Sequence, residues 1–75
     1  MSATVESLAT ALRRLREARE LSQETVAQRA GISLNTYSRI ERGTVAPAWL
    51  TVAKIADALD VTLSELASAI EREES

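Results

Sequence analysis

Leu34, Asn35 and Thr36 stand side by side, and Arg39 follows one helical turn later. On the outer face of a helix, short polar groups and an arginine suit the edges of base pairs. Little else in the chain offers chemistry. It has neither histidine nor cysteine. General acid–base work at neutral pH would need a shifted Glu, Asp, Lys or Tyr, and no thiolate zinc site or disulfide is available. There is no phosphate-cradling glycine loop and no cluster of carboxylates at metal spacing. An enzyme is therefore not expected, and no metal or cofactor is implied.

The elements that must position these groups are five predicted helices, and no segment alternates like a strand. The first covers residues 4–19, with Val5, Leu8, Leu12 and Leu15 at helical spacing as its inner face. The stretch LSQETVAQRAGISLNTYSRIERG holds the second and third. Ser22 caps one, with Leu21 and Val26 as a hydrophobic staple, and Gly31 ends it. Ser33 caps the next, with Ile32 and Tyr37 as staple, and Gly43 ends that. A fourth helix covers residues 48–59 behind Pro47, its apolar positions being Trp49, Val52, Ile55, Ala56 and Leu59. A fifth opens with the capping box Thr62-Leu63-Ser64-Glu65, stapled by Val61 and Leu66. Its pattern fades over residues 71–75, which predicts a frayed end.

Seventy-five residues suffice for one small all-α domain near the lower limit of independent stability. The start, MSATVESLAT, lacks the basic and apolar runs of a secretory signal, and no stretch reaches the length of a membrane span, so a cytoplasmic protein is expected. The net charge of −2 hides an asymmetry. From Arg13 to Lys54 eight basic residues face four acidic ones, whereas the remainder holds one basic residue and seven acidic ones. Binding follows the local field, so the acidic total does not exclude nucleic acid.

Residues 8–66 resemble the lambda-repressor-like helix-turn-helix family, the Cro/repressor or XRE type. The resemblance rests on LRRLREARELSQETVAQRAGIS, SRIERG and VAKIADALDVTLSEL. It implies a compact five-helix domain with the helix-turn-helix motif at residues 22–43, followed by a C-terminal helix end and acidic tail at 67–75. Small Ala27 would let the third helix cross the second closely, and Val26, Ala30, Tyr37 and Ile40 would face the core. By resemblance Leu34, Asn35 and Arg39 meet base edges in the major groove, Arg39 suiting guanine, Asn35 adenine and Leu34 a thymine methyl. Ser33, Thr36 and Ser38 flank them. Gln23 matches a phosphate-contacting position at the start of the second helix. Arg42, Gly43 and Thr44 belong to the family's other backbone-contacting region. Arg16 and Glu41 match a structural ion pair.

Three departures from the family stand out. Glu20 occupies the usual glycine at the end of the first helix, which predicts a rearranged or strained corner. Ala48 replaces a polar N-cap, which should weaken that helix start by about 1 kcal/mol. Thr44-Val45-Ala46 lacks the usual basic residues. Trp49 matches an inward, core position, while Leu50 and Ile70 are candidates for a dimer surface. The resemblance implies a transcriptional regulator that binds a palindromic double-stranded operator as a homodimer, with half-sites about one helical turn apart. No membrane association is expected, nor a small-molecule effector, since no residues remain for a second domain. The alternative is a protein-interaction module on the same fold, an antitoxin or adaptor with a toxin or polymerase as partner.

Overall fold

Side-chain caps and left-handed turns divide this chain into helices. In the computed structural model, which describes residues 4–74, these are α1 (Val5–Ala18), α2 (Gln23–Ala30), α3 (Leu34–Glu41), α4 (Trp49–Ala58) and α5 (Leu63–Glu74). The Ser22 and Ser33 hydroxyls accept the Thr25 and Thr36 backbone N–H groups at 3.0 Å. Thr62 and Glu65 close their capping box reciprocally. Thr4 and Ser7 form a second such box at α1, one that the sequence reading missed. Ala48 supplies no side-chain bond to α4, as its methyl group dictates.

The first four helices end alike. One or two residues past each helix the chain turns left-handed: Glu20 (φ 55°), Gly31 (72°), Gly43 (73°) and Asp60 (59°). In each, the following N–H closes back onto a carbonyl five residues earlier: Leu21 to Arg16, Ile32 to Ala27, Thr44 to Arg39, Val61 to Ala56. This pattern satisfies carbonyls that a helix end would otherwise leave open. The Glu20 corner is therefore strained and not rearranged. Leu21, Ile32 and Val61, which make three of these closures, pack against the core and tie each turn to it.

The core joins Leu12 of α1, Val26, Ala27 and Ala30 of α2, Tyr37 and Ile40 of α3, Ile55, Ala56 and Ala58 of α4 with Leu59, and Leu66 of α5. α1 packs chiefly on α5 and also on α3, while α2 packs on α3 and α4. The second and third helices are thus gripped from both sides. Ala27, with almost no exposed surface, allows their close crossing.

Two expectations, the core placement of Trp49 and the frayed C-terminal end, need correction. Trp49 is 68% exposed and lies outside the core. It is the first residue of α4, and Ile55, six residues on, is rotated from it by roughly 120°. The inward stripe is formed by Ile55, Ala56, Ala58 and Leu59 instead. Ile70 is partly buried and packs on the core where α5 lies along α1, with the rest of its surface open. The acidic end is not frayed up to Glu74: α5 runs that far, and Glu73 meets Arg14 at 3.1 Å. Ser75 lies outside the described residues.

Candidate nucleic-acid interface

α3 is held by a buried polar chain. Arg16 reaches across from α1 and grips Glu41 with two parallel hydrogen bonds of 2.8 Å, from Nε to Oε2 and from Nη2 to Oε1. Its Nη1 donates to the Leu21 carbonyl at 2.9 Å, so one guanidinium fixes both the α1–α2 corner and the end of α3. The side chains are 14% and 3% exposed. Burial works to raise the Glu41 carboxyl, but hydrogen bonds from Arg16 and Gln23 outweigh it and hold the group below its usual value. Tyr37 lies fully buried beside this pair, and its hydroxyl makes no hydrogen bond. Burial drives its phenol far above the ordinary range, so it stays neutral.

The opposite face of α3 is open. Leu34 is 44% exposed. Asn35, Thr36 and Arg39 are exposed as well. Among the described residues the Asn35 and Arg39 side chains have no hydrogen-bond or ion-pair partner, so their donors are available to a ligand. Asn35 and Arg39 are four residues apart and share a helix face. The first turn of α3 contributes little else that can donate. Ser33 gives its hydroxyl proton to Thr36 Oγ1 at 2.8 Å, while Thr36 keeps its own.

The flanking groups divide. Gln23, half-buried at the start of α2, donates from Nε2 to Glu41 Oε1 at 3.0 Å and accepts from Ser38 Oγ at 2.8 Å. Thr44 closes both its N–H and its hydroxyl onto the Arg39 carbonyl, which leaves neither donor for a phosphate in this conformation. Gly43 N–H is likewise bonded, to the Ile40 carbonyl. Arg42 remains exposed as the charged group at that end of α3. Leu50, 62% exposed beside Trp49, forms an apolar patch at the start of α4. Sequence reasoning gave Ser38 a DNA-flanking role and missed its bond to Gln23, because the partners lie fifteen residues apart on different helices. Among the described residues no group of three or more His, Cys, Asp or Glu side chains could hold a metal ion, and no helix is long and apolar enough to cross a membrane.

A buried pair that locks one short helix against another, with polar groups presented outward, is the architecture that a helix entering a groove requires. A family model described as a helix-turn-helix domain matches residues 7–69. The chain belongs to this helix-turn-helix family. It is 44% identical over 57 residues to the cryptic phage CTXphi transcriptional repressor RstR of Vibrio cholerae, covering 76% of this chain and 51% of that protein. It is 35% identical over 63 residues to the uncharacterized HTH-type transcriptional regulator y4dL of Sinorhizobium fredii, covering 84% and 32%. The chain thus spans about half of the first relative and a third of the second. Among solved structures, the restriction–modification controller protein C.AhdI of Aeromonas hydrophila superposes with a TM-score of 0.80 at 35% identity, covering 83% of this chain and 94% of that one. The controller protein C.Esp1396I, solved as a tetramer in complex with its natural 35 base-pair operator, superposes with a TM-score of 0.89 at 18% identity, covering 97% and 96%. That second likeness speaks to the fold.

Proposed function

We propose that this protein is a transcriptional regulator that binds double-stranded DNA sequence-specifically, with α3 in the major groove. The observation that carries this reading is the pairing of a locked inner face with an unpartnered outer one: Arg16 and Glu41 fix α3, and Asn35 and Arg39 stand open beside Leu34. Arg39 would read a guanine and Asn35 an adenine, with Leu34 against a thymine methyl. Gln23 and Arg42 would meet phosphates on either side, joined by the first backbone N–H groups of α2, which Ser22 leaves uncapped. Thr36, with its hydroxyl proton free, would flank the base contacts. The relatives named as transcriptional regulators support this assignment. The protein would act in the cytoplasm as a homodimer on an inverted repeat, and the exposed Leu50 is a candidate for the dimer surface.

The test is a titration of purified protein against a randomised duplex pool at two salt concentrations, with the bound fraction sequenced. Enrichment of an inverted repeat, with affinity falling steeply as salt rises, is the expected result. A protein that enriches no sequence even at low salt would turn the search to a protein partner.

A further inference from the structure

Ser38 has been grouped above with the residues that flank the bases, but its hydroxyl is engaged inside the protein. It donates to Gln23 Oε1 at 2.8 Å. Gln23 Nε2 in turn donates to Glu41 Oε1, whose carboxylate is fixed by the two bonds from Arg16. A primary amide has two N–H donors and one carbonyl oxygen. The Glu41 carboxylate is acceptor-only, so it dictates which end of the amide faces it, and Ser38 then secures the oxygen end. One Nε2–H remains without a partner, on a side chain whose orientation is set from both sides.

We infer that Ser38 is a positioning residue: it holds the Gln23 amide so that its remaining N–H is pre-aimed at a DNA phosphate, and it does not itself read a base. The inference rests on the DNA-binding reading above and deepens it. The physical argument is one of lost freedom. A glutamine side chain at a helix start carries large rotamer entropy, and ordering it when DNA arrives would weaken each contact it makes. Here the ordering is complete before binding. The same chain of bonds ties the phosphate anchor on α2 to the reading helix α3, so the distance from anchored backbone to read base is fixed by the fold.

Two measurements test it together. The first is 15N relaxation of the Gln23 side-chain amide in the free protein. It should report an ordered group in the native chain and in Ser38→Thr, which keeps the hydroxyl, and a mobile one in Ser38→Ala. The second is the affinity of the native chain, Ser38→Ala, Ser38→Thr, Gln23→Ala and Ser38→Ala/Gln23→Ala for the duplex that the pool selection enriches. Ser38→Ala should weaken binding about 3- to 10-fold, the worth of one hydrogen bond. Ser38→Thr should recover most of that loss. The double variant should bind no worse than Gln23→Ala alone, and every variant should enrich the same base sequence. Additive losses, an altered base preference in Ser38→Ala, or native affinity in Ser38→Ala would each overturn the inference while leaving DNA binding intact. A native chain that enriches no duplex would remove the DNA-binding reading itself, and the inference with it.

Discussion

Arg16 and Glu41 form a buried pair that ties α1 to the end of α3. The carboxylate is almost out of water, and the guanidinium supplies both of its strong bonds. Arg16→Ala would leave a buried charge poorly compensated, at a cost of about 3 kcal/mol. A drop in melting temperature by calorimetry or circular dichroism, with the enriched DNA sequence unchanged, is the expected outcome; an equally stable variant with altered base preference would show that Arg16 reads DNA. The pH dependence follows from the same pair. The Glu41 carboxyl is held below its ordinary value of 4.5 in the folded chain. Its contribution to stability is therefore full above the unfolded-state value and is lost as pH falls through the lower, folded-state value. The native melting temperature should fall as the solution is acidified below that ordinary value. In Arg16→Ala burial is opposed mainly by the Gln23 hydrogen bond, the carboxyl rises, and that acid-side loss should shrink.

At the level of elements, the helix ends decide where α2 and α3 stand. Two of the four left-handed turns use glycine and two do not. A side chain in that conformation costs roughly 1–2 kcal/mol, less for Asp, whose short polar side chain tolerates it. Glu20→Gly should therefore raise stability by about 0.5–1 kcal/mol, after the extra freedom glycine gives the unfolded chain is subtracted. Thermal denaturation checks this, and an unchanged or lower melting temperature would mean that Glu20 has a compensating contact. Trp49 gives the opposite lesson. With two-thirds of its surface exposed, Trp49→Ala should change stability by less than about 0.5 kcal/mol, against about 3–5 for a buried tryptophan. Acrylamide should quench its fluorescence freely in the native monomer, and a shielded indole there would contradict the exposed placement. The five helices and most of the inner face were legible because caps, staples and helical spacing are local signals. Glu20 was recognised as out of place only through the family resemblance, which puts glycine there. Trp49 misled because apolar character alone cannot show whether the first turn of a helix reaches past the core, and the packing of Ile70 was hidden because the path of α5 along α1 is set by tertiary contacts. The Gln23–Ser38 bond joins side chains that only the folded crossing of α2 and α3 brings together.

The whole molecule keeps the buried Arg16–Glu41 pair and the exposed Asn35 and Arg39 on opposite sides of one short helix. Along the chain eight of the nine basic residues lie between Arg13 and Lys54, and the acidic surplus gathers in the C-terminal part, where α5 packs on α1. Past Arg42 the loop after α3 contributes no basic side chain, and both Thr44 donors are closed onto the Arg39 carbonyl, so on the proposed reading base contacts from α3 would carry more of the specific binding. On that reading Arg39 is the side chain on which recognition would most depend. The most direct measurement is to repeat the pool selection with Arg39→Ala beside the native chain. The expected result is a folded variant that enriches the same inverted repeat with preference relaxed at one base pair in each half, its affinity lowered by about 1–3 kcal/mol. A variant that still demands every base of the native site, at native affinity, would contradict the placement of α3 in the groove.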